Sequence, residues 1–199
     1  MERITRKEQK ERTRANLVDE ALHLFSTKGI SSTTTADVAK ALDVSHGTVF
    51  VHFPTREELI LAAVERFGER LSVRLNAKLT SDLHLKEILQ AHLSVLTEFE
   101  DFYLRVICES QTLPPQIRSL VYSMNAAISY RLFHAAQKQM KDGSIKRIPQ
   151  ASLFNSWMAL LNYHIMNRDL LSEKSPILKH KGDEILRLFL MLIKTREDK

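Results

Sequence analysis

One cysteine, five glycines and five prolines are all that 199 residues contain of the types that staple or sharply turn a chain. The lone thiol, Cys108, cannot close an internal disulfide, which points to a reducing compartment. Few glycines and prolines argue against a sandwich of many short strands and for long helices with short connections. No apolar run approaches the roughly 20 residues that a membrane span needs. The opening stretch "MERITRKEQKERTR" is too charged for a secretory signal. The expectation is a soluble, cytoplasmic protein with no membrane partner. The chain also lacks a Walker loop, a dinucleotide fingerprint, a G-x-S-x-G elbow and an H-E-x-x-H pair. Nothing in it argues for an enzyme or a cofactor. His84, Glu87 and His92 can share a helix face, but the i, i+4 histidine spacing of zinc sites is missing, so no metal is expected.

What is present is a mild positive charge, +5 overall, which favours a polyanionic partner without demanding one. Six basic and three acidic residues fall within the first 14. This makes a small basic arm, either a solvated helix start or a group that touches a DNA minor groove.

Local signals then divide the N-terminal third into helices. Thr5-x-x-Glu8 is a capping box, and Val18, Ala21, Leu22 and Phe25 come after it at helical spacing. Gly29 is a stop signal. Thr34-x-x-Asp37 caps a second, short helix that ends near Leu42. Asp43-Val44-Ser45 has the length of a tight turn, and Ser45 can cap the next helix. "HGTVFVHF" has strand-forming residues but no pairing partner, and a cap precedes it. It is read as a short helix that must end before Pro54. Thr55-x-x-Glu58 opens a long helix to about Lys78. Helix, tight turn and second short helix form the layout of a helix-turn-helix DNA reader.

The stretch "GISSTTTADVAKALDVSHGTVFVHFPTREEL", Gly29 to Leu59, resembles the DNA-binding motif of tetracycline-repressor-type (TetR/AcrR family) transcription regulators. Gly29, Thr34-Thr35, Val38-Ala39, Val44-Ser45, Gly47-Thr48, Phe50, His52-Phe53 and Glu58-Leu59 carry the likeness. It covers about the first quarter of the chain; beyond it the match is in length and helical character only. Two positions depart from the pattern. Tyr is usual where this chain has Phe50, which lacks the hydroxyl that reaches a phosphate. Gly is often found where this chain has Asp43, a residue that tolerates left-handed backbone.

The resemblance implies an all-α protein. Residues 1–56 form a three-helix helix-turn-helix DNA-binding domain, and residues 57–199 a larger helical ligand-binding and dimerisation domain. It also implies double-stranded DNA with a palindromic operator as partner. Thr34, Thr35, Ser45, His46, Gly47, Thr48, Phe50, His52 and Arg56 are the candidate DNA-binding residues. Gly47 allows close backbone approach, His46 and Thr48 face base edges, and Thr34, Thr35, Ser45, His52 and Arg56 face phosphates. Thr34 can equally act as a cap, and His52 as a capping or packing group.

Farther on, helices are expected near 84–99, 101–110, 115–141, 150–168 and 183–195. "ILRLFLMLI", Ile185 to Ile193, has Arg187 as its one polar residue. A helix apolar all round is buried on more than one side. It pairs with the broad apolar helix of "SLFNSWMALLNYHIM" as a four-helix homodimer interface, with Leu153, Trp157, Leu161, Leu188 and Leu192 as contacts. Phe67, Leu71, His92, Leu96, Phe99, Tyr103, Met124 and Ile128 are candidate ligand-binding residues. The same residues also describe an ordinary helical core. The combined reading is a homodimeric repressor released by a small apolar or amphipathic effector. A regulator controlled by a protein partner and a small helical enzyme are the alternatives.

Overall fold

The computed structural model describes residues 5–78, 84–171 and 176–195. Among them the chain is all-α. The helices are α1 (Arg6–Lys28), α2 (Thr35–Ala41), α3 (His46–His52), α4 (Arg56–Lys78), α5 (Leu85–Glu98), α6 (Glu100–Glu109), α7 (Pro115–Lys141), α8 (Gln150–Met166), α9 (Arg168–Leu171) and α10 (Ile177–Ile193). No helix among the described residues is long and apolar enough to cross a membrane.

The chain forms two compact units. One holds residues up to Arg70 together with 101–121; the other holds 71–100 and everything from 122 on. The parting at residue 56 expected from the motif is therefore not where the compact units divide. The physical reason lies in α6, whose Arg105 binds the last turn of α1 and whose Glu109 binds the backbone between α1 and α2.

In the first unit the expected caps are in place. Thr5 and Glu8 exchange side-chain and backbone bonds at the start of α1, as do Thr34 and Asp37 at the start of α2. Gly29 ends α1 at φ 99° with its N–H on the Phe25 carbonyl. Asp43 takes the left-handed conformation of the turn, φ 52°. Ser45 caps α3 through the Thr48 N–H, and Thr55 caps α4 through the Glu58 N–H. Leu17, Phe25, Val38, Val49, Phe53 and Leu59 are buried together in this unit. Each such large apolar side chain contributes roughly 1.5–3 kcal/mol.

In the second unit α10 packs on α5 and α8. Trp157 is fully buried, with Phe189 of α10 at a 5.2 Å ring separation. The last helix begins at Ile177, six residues before the expected start. Gly182, just ahead of the expected start, sits inside α10. A Cβ there would lie 2.6 Å from Leu93 Cδ2, so a bare backbone lets α5 and α10 approach closely. Pro176 precedes the helix with no side-chain cap of its own. The buried Glu100 carboxylate supplies one from elsewhere, accepting the N–H groups of Ile177 and Leu178 at 2.8 and 2.9 Å. Arg168 stands 3.6 Å from the same carboxylate.

Candidate nucleic-acid interface

The α2–turn–α3 unit presents one outer face of α3. Val49 is buried and fixes the helix; His46, Gly47, Phe50 and Val51 are exposed. Their arrangement is not loose. His46 Nε2 is 2.9 Å from the Thr35 hydroxyl, tying the start of α3 to the start of α2. The His46 and Phe50 rings meet edge to face at 4.7 Å. Ser45 and Thr48 share a hydroxyl–hydroxyl bond of 2.9 Å.

Gly47 is the most informative position. A Cβ built there would meet Ser45 Oγ alone, at 3.7 Å. Its φ is ordinary for a helix. Nothing inside the unit therefore requires glycine, which costs about 1 kcal/mol against alanine in a helix. The bare α-carbon lies on the outer face, where it lets an external surface come close.

The remaining candidates divide. Thr34 is occupied as a cap: its hydroxyl accepts from Asp37 N–H and donates to the Asp37 carboxylate at 2.6 Å. These bonds, with Lys28 nearby, hold Asp37 down to about 2. His52 has a buried Nδ1 with no partner. Burial lowers its pKa, and Lys10 and Arg14 lower it further. Arg14 lies over the Phe53 ring at 4.8 Å. That contact places the basic face of α1 beside the end of α3. The charge count alone shows a basic arm but not which cations reach α3.

Arg56 is engaged within the unit. Its Nε donates to the Thr33 carbonyl at 3.0 Å, and Nη2 donates to the Ile30 carbonyl. The guanidinium thereby closes the 30–33 loop from within. Glu109 holds the other side of that loop, accepting from Ile30 N–H at 2.9 Å and Ser31 N–H at 2.6 Å. Partial burial pushes the Glu109 carboxyl up. The Ser31 hydroxyl, the two amides and Arg105 outweigh that and hold it below the usual range. Neither Glu109 nor Arg105 carries a sequence signal, because both act across nearly 80 residues of chain.

The candidate ligand residues are packed. Phe67, Leu71, His92, Leu96, Tyr103 and Ile128 are buried, and Phe99 and Met124 half-buried. Phe67 meets Phe102 within the first unit, their rings tilted at a 5.2 Å separation. His92 Nδ1 accepts from Trp157 Nε1 at 3.0 Å. Burial pushes the imidazole down to about 4. His84 and Glu87 do not join it: they meet at the start of α5, where Glu87 accepts the His84 N–H.

Of the dimer candidates, Leu153, Trp157 and Leu161 point into the chain's own core. Broad apolarity of α8 reflects packing under α10, so a second copy cannot meet these three side chains. Leu188 and Leu192 stay 37% and 52% exposed, beside Met191 at 67%.

Comparison with known proteins points to the same region. The family model described as "Bacterial regulatory proteins, tetR family" matches residues 17–63, which hold α2, α3 and the start of α4. Over residues 17–63 the chain is similar to the tetR family. An HTH-type transcriptional repressor of Mycobacterium tuberculosis is 31% identical to this chain over 87 residues, covering 44% of this chain and 46% of that one. AcrR of Shigella flexneri, an HTH-type transcriptional regulator, is 42% identical over 59 residues, 30% of this chain and 27% of that one. The chain thus spans less than half the length of these relatives. A crystal structure from Saccharomonospora viridis, described as a transcriptional regulator in complex with choline, shares the fold at a TM-score of 0.79 and 21% identity. That match covers 94% of this chain and 100% of the other. The family and these proteins are named as regulators and not as enzymes.

Proposed function

We propose that this chain is a DNA-binding transcriptional regulator of the tetR family: a homodimeric repressor that holds a palindromic operator and is released by a small apolar or amphipathic ligand. The observation that carries the DNA-binding part is Gly47, bare on the outer face of α3 with room for a Cβ. His46, Thr48 and Phe50 flank it on α3, within reach of base edges in this reading. Phe50, without a hydroxyl, offers its ring edge to a thymine methyl. The N-termini of α2 and α3 and the cations Lys10 and Arg14 suit phosphates.

The test is Gly47→Ala. The added methyl fits the protein, so the melting temperature is expected to hold or rise slightly. Binding to a duplex selected from a random pool is expected to weaken roughly 5- to 150-fold, the effect of losing about 1–3 kcal/mol of base discrimination. Unchanged affinity would place the DNA face elsewhere.

For the homodimer, support comes from the apolar outer faces of α8 and α10, where Tyr163, Met166, Leu188, Met191 and Leu192 are exposed. A two-fold pair would present its recognition helices about 34–36 Å apart, one turn of DNA. Leu188→Lys combined with Leu192→Lys is expected to give a monomer by sedimentation. A dimer of unchanged affinity removes this interface. Release by a ligand requires that operator DNA weaken ligand binding by the same factor that the ligand weakens operator binding.

A further inference from the structure

An open cavity of about 390 Å³ lies in the second unit at the end of α7, within the roughly 300–1,000 Å³ of small-molecule sites. None of the interior residues expected to bind ligand lines it. Phe133, Gln137, Met140 and Lys141 come from one face of α7; Arg147, Ile148 and Pro149 come from the connection to α8. Phe133, Met140, Ile148 and Pro149 make its floor apolar. Lys141 and Arg147 stand exposed at its rim.

The wall is preformed rather than slack. Asp142 accepts from the N–H and hydroxyl of Ser144. The Ile145 N–H donates to the Gln139 carbonyl. Ile145 pairs with Lys194 in an antiparallel bridge, and Lys146 donates from N–H to the Ile193 carbonyl at 2.9 Å and from Nζ to the Leu192 carbonyl at 2.7 Å. The 142–149 segment is thereby pinned to the end of α10.

Charge selects the occupant. No acidic side chain lines the cavity. The neighbouring Asp142 is engaged by Ser144, and the first turn of α8, which starts at the same wall, holds no acidic residue. Lys141 sits on the last turn of α7, where a cation suits the helix's negative end. Arg147 is off the helix and has no ion pair among the described residues. A guanidinium beside an apolar floor matches a carboxylate on a hydrocarbon body, because its planar fork meets both carboxylate oxygens.

We propose that this notch binds small amphipathic organic carboxylates. Its regulatory meaning rests on the repressor reading above; the binding itself does not.

Octanoate serves as the probe, with octylammonium as its cationic counterpart. Both are titrated into the full chain carrying ¹³C-methyl methionine, the Met140 signal being assigned with Met140→Leu. Octanoate is expected to shift Met140 saturably, and octylammonium to leave it unmoved. Arg147→Glu and Lys141→Glu, both surface changes, are expected to weaken octanoate at least tenfold with the melting temperature unchanged. Absence of a saturable shift, equal binding of the two probes, or octanoate affinity unaltered in Arg147→Glu overturns the proposal. Operator affinity is measured separately with and without octanoate. Saturable Met140 binding that leaves operator affinity unchanged supports the site and counts against release by this class of ligand.

Discussion

Glu100→Ala is expected to lower folding stability by about 3–5 kcal/mol, the loss typical of breaking a buried ion pair from one side. Glu100 is 2% exposed, so water cannot replace it. Without the carboxylate, the Ile177 and Leu178 N–H groups lose their acceptor, and Arg168 loses the anion 3.6 Å away. Pro176 cannot compensate, having no side-chain oxygen. In a chain this long the melting temperature is expected to fall by roughly 10 °C. Glu100→Gln keeps one acceptor oxygen without the charge and is expected to fall between wild type and alanine. The measurement is chemical unfolding of all three proteins. A loss under about 1 kcal/mol for alanine would mean that α10 starts without help from Glu100.

The second large effect is a dependence on pH. His92 is buried, accepts at Nδ1 from Trp157 and is pushed down to about 4. The unfolded chain takes up a proton at this histidine near pH 6.5, whereas the folded chain resists until about 4. The contribution is therefore fully present above about pH 6.5 and is lost as the pH falls toward 4. The expected loss is on the order of 3 kcal/mol at the acid end. Carboxylates also titrate there, so the informative quantity is the difference from His92→Gln, which keeps an acceptor for Trp157 but cannot be protonated. Unfolding midpoints at about pH 7.5, 6 and 4.5 are expected to converge on acidification, the wild type losing its advantage. A constant gap across that range would show that His92 titrates alike in both states.

These two residues also mark the limit of what is legible in the sequence. Thr5, Thr34, Ser45 and Thr55 can be read as caps because a cap and its partner lie three residues apart. The left-handed turn at Asp43 and the end of α3 before Pro54 are local matters in the same sense. Glu100 and Glu109 are carboxylates whose partners lie 77 to 79 residues away, and no spacing rule reaches that far. Arg56 stands at a helix start, where a cation suits phosphate; only the fold shows two carbonyls already holding it. The true start of α10 at Ile177 rests on Gly182 packing against Leu93 and on the Glu100 carboxylate, neither of which is a local signal. Leu153, Trp157 and Leu161 share their apolar character with Leu188 and Leu192, and composition does not tell inside from outside.

The grip of Arg56, Arg105 and Glu109 on residues 26–33 has a consequence for change over time. Arg105 donates to the carbonyls of Ser26 and Thr27, Arg56 to those of Ile30 and Thr33, and Glu109 accepts from the amides of Ile30 and Ser31. Apart from the Ser31 hydroxyl, what is held is main chain, which every non-proline residue offers alike. The mounting is therefore largely indifferent to which side chains the loop carries. Residues on the outer face of α3 can be exchanged while the bracket that carries α2 and α3 stays as it is.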